Sequence, residues 1–298
     1  MKSVATIIAG PGFNFNQKEA DQIIDALSNN GAIIENIEWL SKDKALDIFF
    51  AVLSIEEVRE ILAELLKPFP LDFIVQANSG RRKKLLITDM DSTIIEQECI
   101  DELADCLGIK PQISAITEKA MNGELDFKAA LRERVLLLKG LKEEKLQEVY
   151  DTRITFMPGA KALVATMKAA GAKCVLVSGG FTFFTSRVRE AMGFDIDESN
   201  ILEIADGKLT GIVREPILDS TSKLNALLYY SEELGINPHM AAAVGDGAND
   251  IPMIKQAGLG IAFHAKDKVK REATHLLNTP DLRNILYAQG YMDEEIIN

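Results

Sequence analysis

Residues 85–98 read LLITDMDSTIIEQE. An apolar run passes directly into Asp89 and Asp91, with Ser92 and Thr93 behind them. A short run without polar alternation reads as a strand buried on both faces, and such strands belong to parallel sheets covered by helices. Carboxylates at the end of a buried strand cost free energy unless a counter-charge meets them. Residues two apart on an extended chain point the same way, which sends both acids toward one cavity. They repel each other there, and hard carboxylate oxygens with no His or Cys nearby suit Mg²⁺. The alternative is that both acids simply cap the following helix.

The same apolar pattern returns in CVLVS, AAAVGD and GLGIAF. With LLITD, these strands predict an α/β protein with a Rossmann-like parallel sheet. The roughly 80 residues between LLITD and CVLVS read as helix, in ECIDELADCLG, QISAITEKAMNG, DFKAALRERVLLLKG and EEKLQEVYD. That is too long for a simple crossover and predicts a helical cap inserted over about residues 96–156. Residues 1–78 alternate differently: SVATIIA, KEADQIIDALSNNG, AIIENIEWL, ALDIFFAVL, SIEEVREILAELLK and LDFIVQ give the order βαββαβ. Ser54 and Glu57 form a capping box at the second helix. The order predicts a small ferredoxin-like domain over 1–78 ahead of a second domain over 79–298. NSGRRKK, residues 78–84, reads as a solvated connector whose charges face water.

Composition narrows the function. The chain has 298 residues and a formal charge of −12, which argues against a nucleic-acid partner. No apolar stretch reaches the ~18 residues of a membrane span, and MKSVATIIAGPG reads as a first strand rather than a signal peptide. Cys99, Cys106 and Cys174 form no CxxC pair, and we expect buried, reduced thiols in a cytoplasmic protein.

Ligands of open α/β sheets bind beyond the carboxyl ends of the strands. Three further features fall at or near such ends. Ser178, Gly179 and Gly180 follow CVLV and offer N–H groups to an anion. Gly245-Asp246-Gly247-Ala248-Asn249-Asp250 follows AAAV; its two acids would repel a pyrophosphate, so it reads as a metal-ligand loop rather than a nucleotide fingerprint. Lys223, in DSTSKLNALLYY, sits near a predicted helix start, where a cation opposes the helix dipole. Arg134 falls on an apolar stripe with Phe127, Leu131, Val135 and Leu138, whereas Arg132 turns toward solvent. A cation on an apolar face wants either a substrate carboxylate or an internal ion pair. No P-loop is present. Paired carboxylates, metal ligands, an anion nest and a lysine suit phosphoryl transfer.

DMDST, SGG, a lysine and GDGANDIPM, in this order, resemble the haloacid dehalogenase-like phosphohydrolases. The longer strings DMDSTIIEQECIDELAD, AMNGELDFKAALRERVLLLKG and VGDGANDIPMIKQAGLGIAFHAK resemble the branch of that family that acts on phosphoserine, over roughly residues 84–283. The resemblance implies that Asp89 is a nucleophile forming an aspartyl-phosphate and Asp91 the general acid and base. It implies Mg²⁺ held by Asp89, the main-chain carbonyl of Asp91 and Asp246, with Asp250 in support. Ser178, Gly179 and Lys223 would hold the phosphate with Asn249 close by, Glu98 the substrate ammonium, and Arg134 its carboxylate. The activity implied is Mg²⁺-dependent hydrolysis of O-phospho-L-serine, a small-molecule substrate, as the last step of L-serine biosynthesis. Transfer to an acceptor alcohol such as homoserine is the alternative. Some members carry an N-terminal ACT-like regulatory domain, which suits residues 1–78. A homodimer is left open.

Overall fold

A computed structural model describes residues 3–121 and 125–298. The N-terminal part comprises β1 (Ser3–Ala9), α1 (Gln17–Asn29), β2 (Ile33–Ser41), β3 (Ala45–Ala51), α2 (Ile55–Leu65) and β4 (Leu71–Ala77). The four strands form one antiparallel sheet in the order β2-β3-β1-β4. Both helices start on capping boxes: Asn16 with Glu19, and Ser54 with Glu57. Ile23, Leu27, Val58 and Leu62 on these helices cover one face of the sheet, against Ile7, Ile48 and Phe50.

The second sheet has six strands in the order β12-β11-β10-β5-β6-β7. These are β5 (Leu85–Thr88), β6 (Lys173–Phe181), β7 (Ile196–Asn200), β10 (Ala241–Gly245), β11 (Leu259–Phe263) and β12 (His275–Leu277), all parallel. From β5 the chain builds outward to β6 and β7 on one side, then crosses to β10, β11 and β12 on the other. The direction of winding reverses between β5 and β10, which opens a crevice beyond their carboxyl ends. Every residue of β5 is buried, as its unbroken apolar pattern requires.

Between β5 and β6 lie α3 (Cys99–Cys106), α4 (Lys110–Met121), α5 (Phe127–Leu137), α6 (Glu144–Arg153) and α7 (Ala160–Ala169). The first four stand over the crevice and share apolar contacts with the sheet through Ile100, Leu103, Leu131 and Val135. A bridge between Ile95 and Phe156 ties their near end. Their far end is bonded to a hairpin, β8 (Leu202–Ala205) and β9 (Lys208–Val213). Gly140 N donates to Leu209 O (2.8 Å), Leu209 N to Leu141 O (2.9 Å) and Glu143 N to Gly207 O (2.9 Å). The remaining helices are α8 (Thr182–Met192), α9 (Ser220–Glu233), α10 (Ile251–Gln256), α11 (Asp267–Glu272) and α12 (Asn284–Ala288).

Three expectations are corrected. The 78–84 connector is solvated only in part: Arg82 and Lys84 are exposed as expected, but Arg81 and Lys83 are buried. Arg81 grips Asp47 with two bonds (2.6 and 3.0 Å) and reaches Thr6, while Lys83 Nζ donates to the carbonyls of Gly80 and His239. These two alternate cations are buried because the segment crosses between the two sheets, where carbonyls and Asp47 accept their donors. Strand β5 ends at Thr88, so Asp91 reaches the crevice from a turn and not by strand alternation. Among the cysteines, Cys99 and Cys174 are buried but Cys106, at the end of α3, is partly exposed.

The second face of the first sheet is also covered. Ile8, Leu40, Ala45 and Ile74 join the same core as Leu286 and Tyr287 of α12. Gln76 Nε2 donates to Ala288 O (2.6 Å), and Asp72 accepts from the N–H groups of Asn278 and Thr279.

Candidate active site

A cavity of ≈ 510 Å³ opens beyond the carboxyl ends of β5, β6 and β10, under α3, α4 and α5. Asp89 follows β5 directly, and its N–H continues the ladder to Val244 O (2.9 Å). Its carboxylate meets Lys223 Nζ at 2.7 Å, and the same ammonium meets Asp250 Oδ1 at 2.6 Å. Lys223 is fully enclosed at 2% exposure, four residues into α9, where the dipole disfavours it. The two carboxylates outweigh burial and hold it in the ammonium form, with its pKa raised. Asp250 also accepts from Gly247 N (2.9 Å), which fixes the turn after β10. The carboxyl of Asp250 packs where a side chain on Gly245 would stand, so only glycine fits there.

Carboxylate oxygens of Asp89, Asp246 and Asp250 all lie within 4.8 Å of one another. Lys223 lies between Asp89 and Asp250, and Asp246 has only the half-exposed Lys266, 3.5 Å away, so three buried acids share two ammonium groups. Burial, then the charge of Asp89, push Asp246 up to about 7, and the same causes raise Asp250 despite Lys223. Three hard oxygens left short of positive charge fit a hard dication such as Mg²⁺.

Asp91 lines the same cavity but turns away from this trio. Its Oδ1 accepts from Cys99 N at the start of α3 (2.8 Å) and its Oδ2 faces Ser178 Oγ (3.3 Å). A Cβ on Gly180 would stand 2.7 Å from Asp91 Oδ2, so the second glycine makes room for the acid. Burial, then the negative charge of Glu98, push Asp91 up to about 7. The two acids of the DMD motif thus sit in unlike surroundings, one salt-bridged and one protonatable near neutrality.

Ser178 and Gly179 lie within β6, one turn ahead of α8, and Ser178 Oγ accepts from Gly180 N (2.8 Å). Glu98, the N-cap residue of α3, makes no capping bond and accepts instead from Ser92 Oγ (2.8 Å). Burial raises its pKa, opposed by Lys266. Arg134 of α5 reaches the cavity with Phe127 and Leu131. Among the described residues it has no ion pair; its guanidinium bonds Ala130 O (3.3 Å) and Thr117 Oγ1 (3.4 Å). Arg132 points outward to Glu215 (2.6 Å). Burial lowers the Arg134 pKa while Glu98, Asp101 and Asp91 act against that, so a cation with free donors faces the cavity.

Asp89, Asp91, Glu98, Arg134, Ser178, Gly179, Asp246 and Asn249 therefore line one space, with Lys223 and Asp250 buried directly behind Asp89. Sequence reasoning missed Thr117 and the pair Lys266 and Lys268, which also line it. The lysines follow β11, a further strand end, and that position was the signal that could have found them.

Residues 83–258 match the family model of haloacid dehalogenase-like hydrolases. A phosphoserine phosphatase of Polaromonas sp. is 50% identical over 208 residues, covering 68% of this chain and 88% of that protein. One of Saccharomyces cerevisiae is 37% identical across 100% of this chain and 99% of its own length. The crystal structure of a haloacid dehalogenase family hydrolase from Salmonella enterica superposes with a TM-score of 0.84 at 30% identity, over 98% of this chain and 99% of that one.

Proposed function

The chain belongs to the haloacid dehalogenase-like hydrolases and is a phosphatase of that family, and from this premise we propose that it hydrolyses O-phospho-L-serine to L-serine and phosphate. The relatives named above support the substrate, and the pairing of Glu98 with Arg134 in one cavity supports an amino acid carrying both an ammonium and a carboxylate. The observation that carries the mechanism is the unlike setting of Asp89 and Asp91.

In this reading Asp89 attacks phosphorus, forming an aspartyl-phosphate as the bond from phosphorus to the seryl oxygen breaks. Asp91, raised to about 7 and so partly protonated at neutral pH, gives its proton to that oxygen. Its carboxylate then takes a proton from water, which attacks phosphorus, releases phosphate and frees Asp89. Ser178, the N–H groups at Gly179 and Lys223 hold the phosphoryl oxygens, with Asn249 beside them. Mg²⁺ would be held by Asp89, Asp246 and the main-chain carbonyl of Asp91, with Asp250 in support, and would neutralise phosphoryl charge. Helices α3 to α6, about residues 96–156, act as the cap that encloses the substrate. The product would be L-serine at the end of its biosynthesis.

Phosphate release from phosphoserine by the purified chain, with Mg²⁺ and with chelator, tests the reading. Asp89→Asn should lower kcat by more than roughly a thousandfold while the circular dichroism spectrum and melting temperature persist. Near-normal turnover by that variant ends the nucleophile assignment. Phosphohomoserine accumulating in place of phosphate, when homoserine is added, would make the chain a phosphotransferase.

A further inference from the structure

The loop after β11 reaches back over the candidate metal ligands. Lys266, the residue ahead of α11, donates its backbone N–H to Asp246 O (3.1 Å). Its Nζ lies 3.5 Å from Asp246 Oδ2. It lines the cavity together with Asp89, Glu98 and Asp246, and Asp246 and Glu98 are the charges that act on it most strongly. Glu98, for its part, feels Lys266 as its main compensating charge. The lysine thus sits against Asp246 and shares the cavity with Glu98, and the proposed reaction pairs each of these acids with a cation from outside: Asp246 with the metal, Glu98 with the substrate ammonium.

We propose that Lys266 is the internal counter-ion of the resting site, a positioning residue that neutralises Asp246 and Glu98 until the divalent cation displaces its ammonium from Asp246. Its contrast with Lys223 supports this division. Lys223 is 2% exposed and pinned between two carboxylates, so it cannot leave. The Lys266 side chain is 49% exposed, and a flexible stem lets its ammonium withdraw into water at small cost. A half-exposed ion pair contributes little to folding, so the fold tolerates its loss. Filling the site then exchanges one cation for another, and metal binding and access to Glu98 become coupled through one side chain. The inference rests on the assignment of Asp89, Asp246 and Asp250 as a cation site.

The test is a calorimetric titration of Mg²⁺ into the full chain without substrate, for the unaltered protein, Lys266→Met and Lys266→Arg. Lys266→Met should bind Mg²⁺ roughly five- to tenfold more tightly, because a unit charge a few ångströms from the dication has gone. Lys266→Arg keeps the charge and should match the unaltered protein. Melting temperatures give a second readout: Mg²⁺ should raise that of Lys266→Met by more than it raises the unaltered protein's. A lysine that only props its loop would shift both melting temperatures equally, with and without metal. Unchanged or weaker Mg²⁺ binding in Lys266→Met, or an arginine variant that behaves like methionine, overturns the proposal. So does an unaltered protein with no saturable Mg²⁺ binding, which also removes the metal from the proposed function. Mg²⁺ binding that follows the expected pattern without phosphoserine turnover upholds the counter-ion and sinks the substrate alone.

Discussion

Beside the role proposed for it in catalysis, Lys223 has one in stability, because it is the ammonium between the buried carboxylates of Asp89 and Asp250. Breaking a buried pair by removing one partner leaves charge without compensation and costs about 3–5 kcal/mol. We predict that loss for Lys223→Met, measured by urea unfolding in the absence of metal. Adding Asp250→Asn removes one of the stranded charges, so the double variant should lose less than the sum of the two single losses. A deficit equal to the sum would mean that the two side chains do not interact. At this scale the strand-end acids could be read directly, since carboxylates beside apolar runs are conspicuous. The orientation of Arg134 could also be read, because helical periodicity fixes which side of α5 it shares with Leu131 and Val135. Lys266 could not be singled out from sequence by type alone, since one lysine in a charged loop looks like any other. Its place after β11 matters only once β11 is known to border the crevice.

Elements were legible in proportion to their burial. Strands β5, β10 and β11 are covered on both faces and spell that in unbroken apolar residues. Strand β7 is an edge strand of sequence IDESN and gives no such pattern, while β12 has three residues, too few for any period to emerge. On β12, His275 is buried, pairs in register with Ile261 and lies within the fields of Arg59 and Lys83. Burial, helped by those two cations, lowers its pKa to about 3. The unfolded chain binds a proton near the ordinary 6.5 and the folded chain does not. Stability is therefore complete above that value and falls as pH drops from about 6.5 toward 3, by up to a few kcal/mol from this group. Replacing His275 with Leu should flatten the dependence of unfolding free energy on pH between 6.5 and 4.5. A slope identical to that of the unaltered protein would show that this ring stays neutral for no energetic reason.

For the molecule as a whole, the two sheets are joined through polar groups, among them Arg81, for which the charge run predicts a place in solvent. Arg81 makes bonds to Thr6, to Asp47, and to the carbonyls of Tyr287 and Ala288, so one side chain reaches β1, β3 and α12. Asp47 lies on β3, 34 residues from Arg81, and nothing local marks the two as partners. We predict that Arg81→Met costs about 3–5 kcal/mol, for the reason given for Lys223. Hydrogen exchange should quicken in β1 and β3, while turnover of saturating phosphoserine stays within about twofold, since Arg81 does not line the cavity. Unchanged exchange would mean that the apolar contacts of Ile8 and Ile74 hold the sheets together unaided.

The cover that α12 provides for the first sheet has a consequence in time. Gln76 and its acceptor Ala288 are separated by 212 residues of chain. At translation rates of ~5–20 residues per second, roughly 10–40 s pass between the emergence of β4 and that of α12. For that interval a nascent chain whose first sheet had formed would display Ile8, Leu40, Ala45 and Ile74 on an open face, which is the kind of surface that chaperones and neighbouring chains bind.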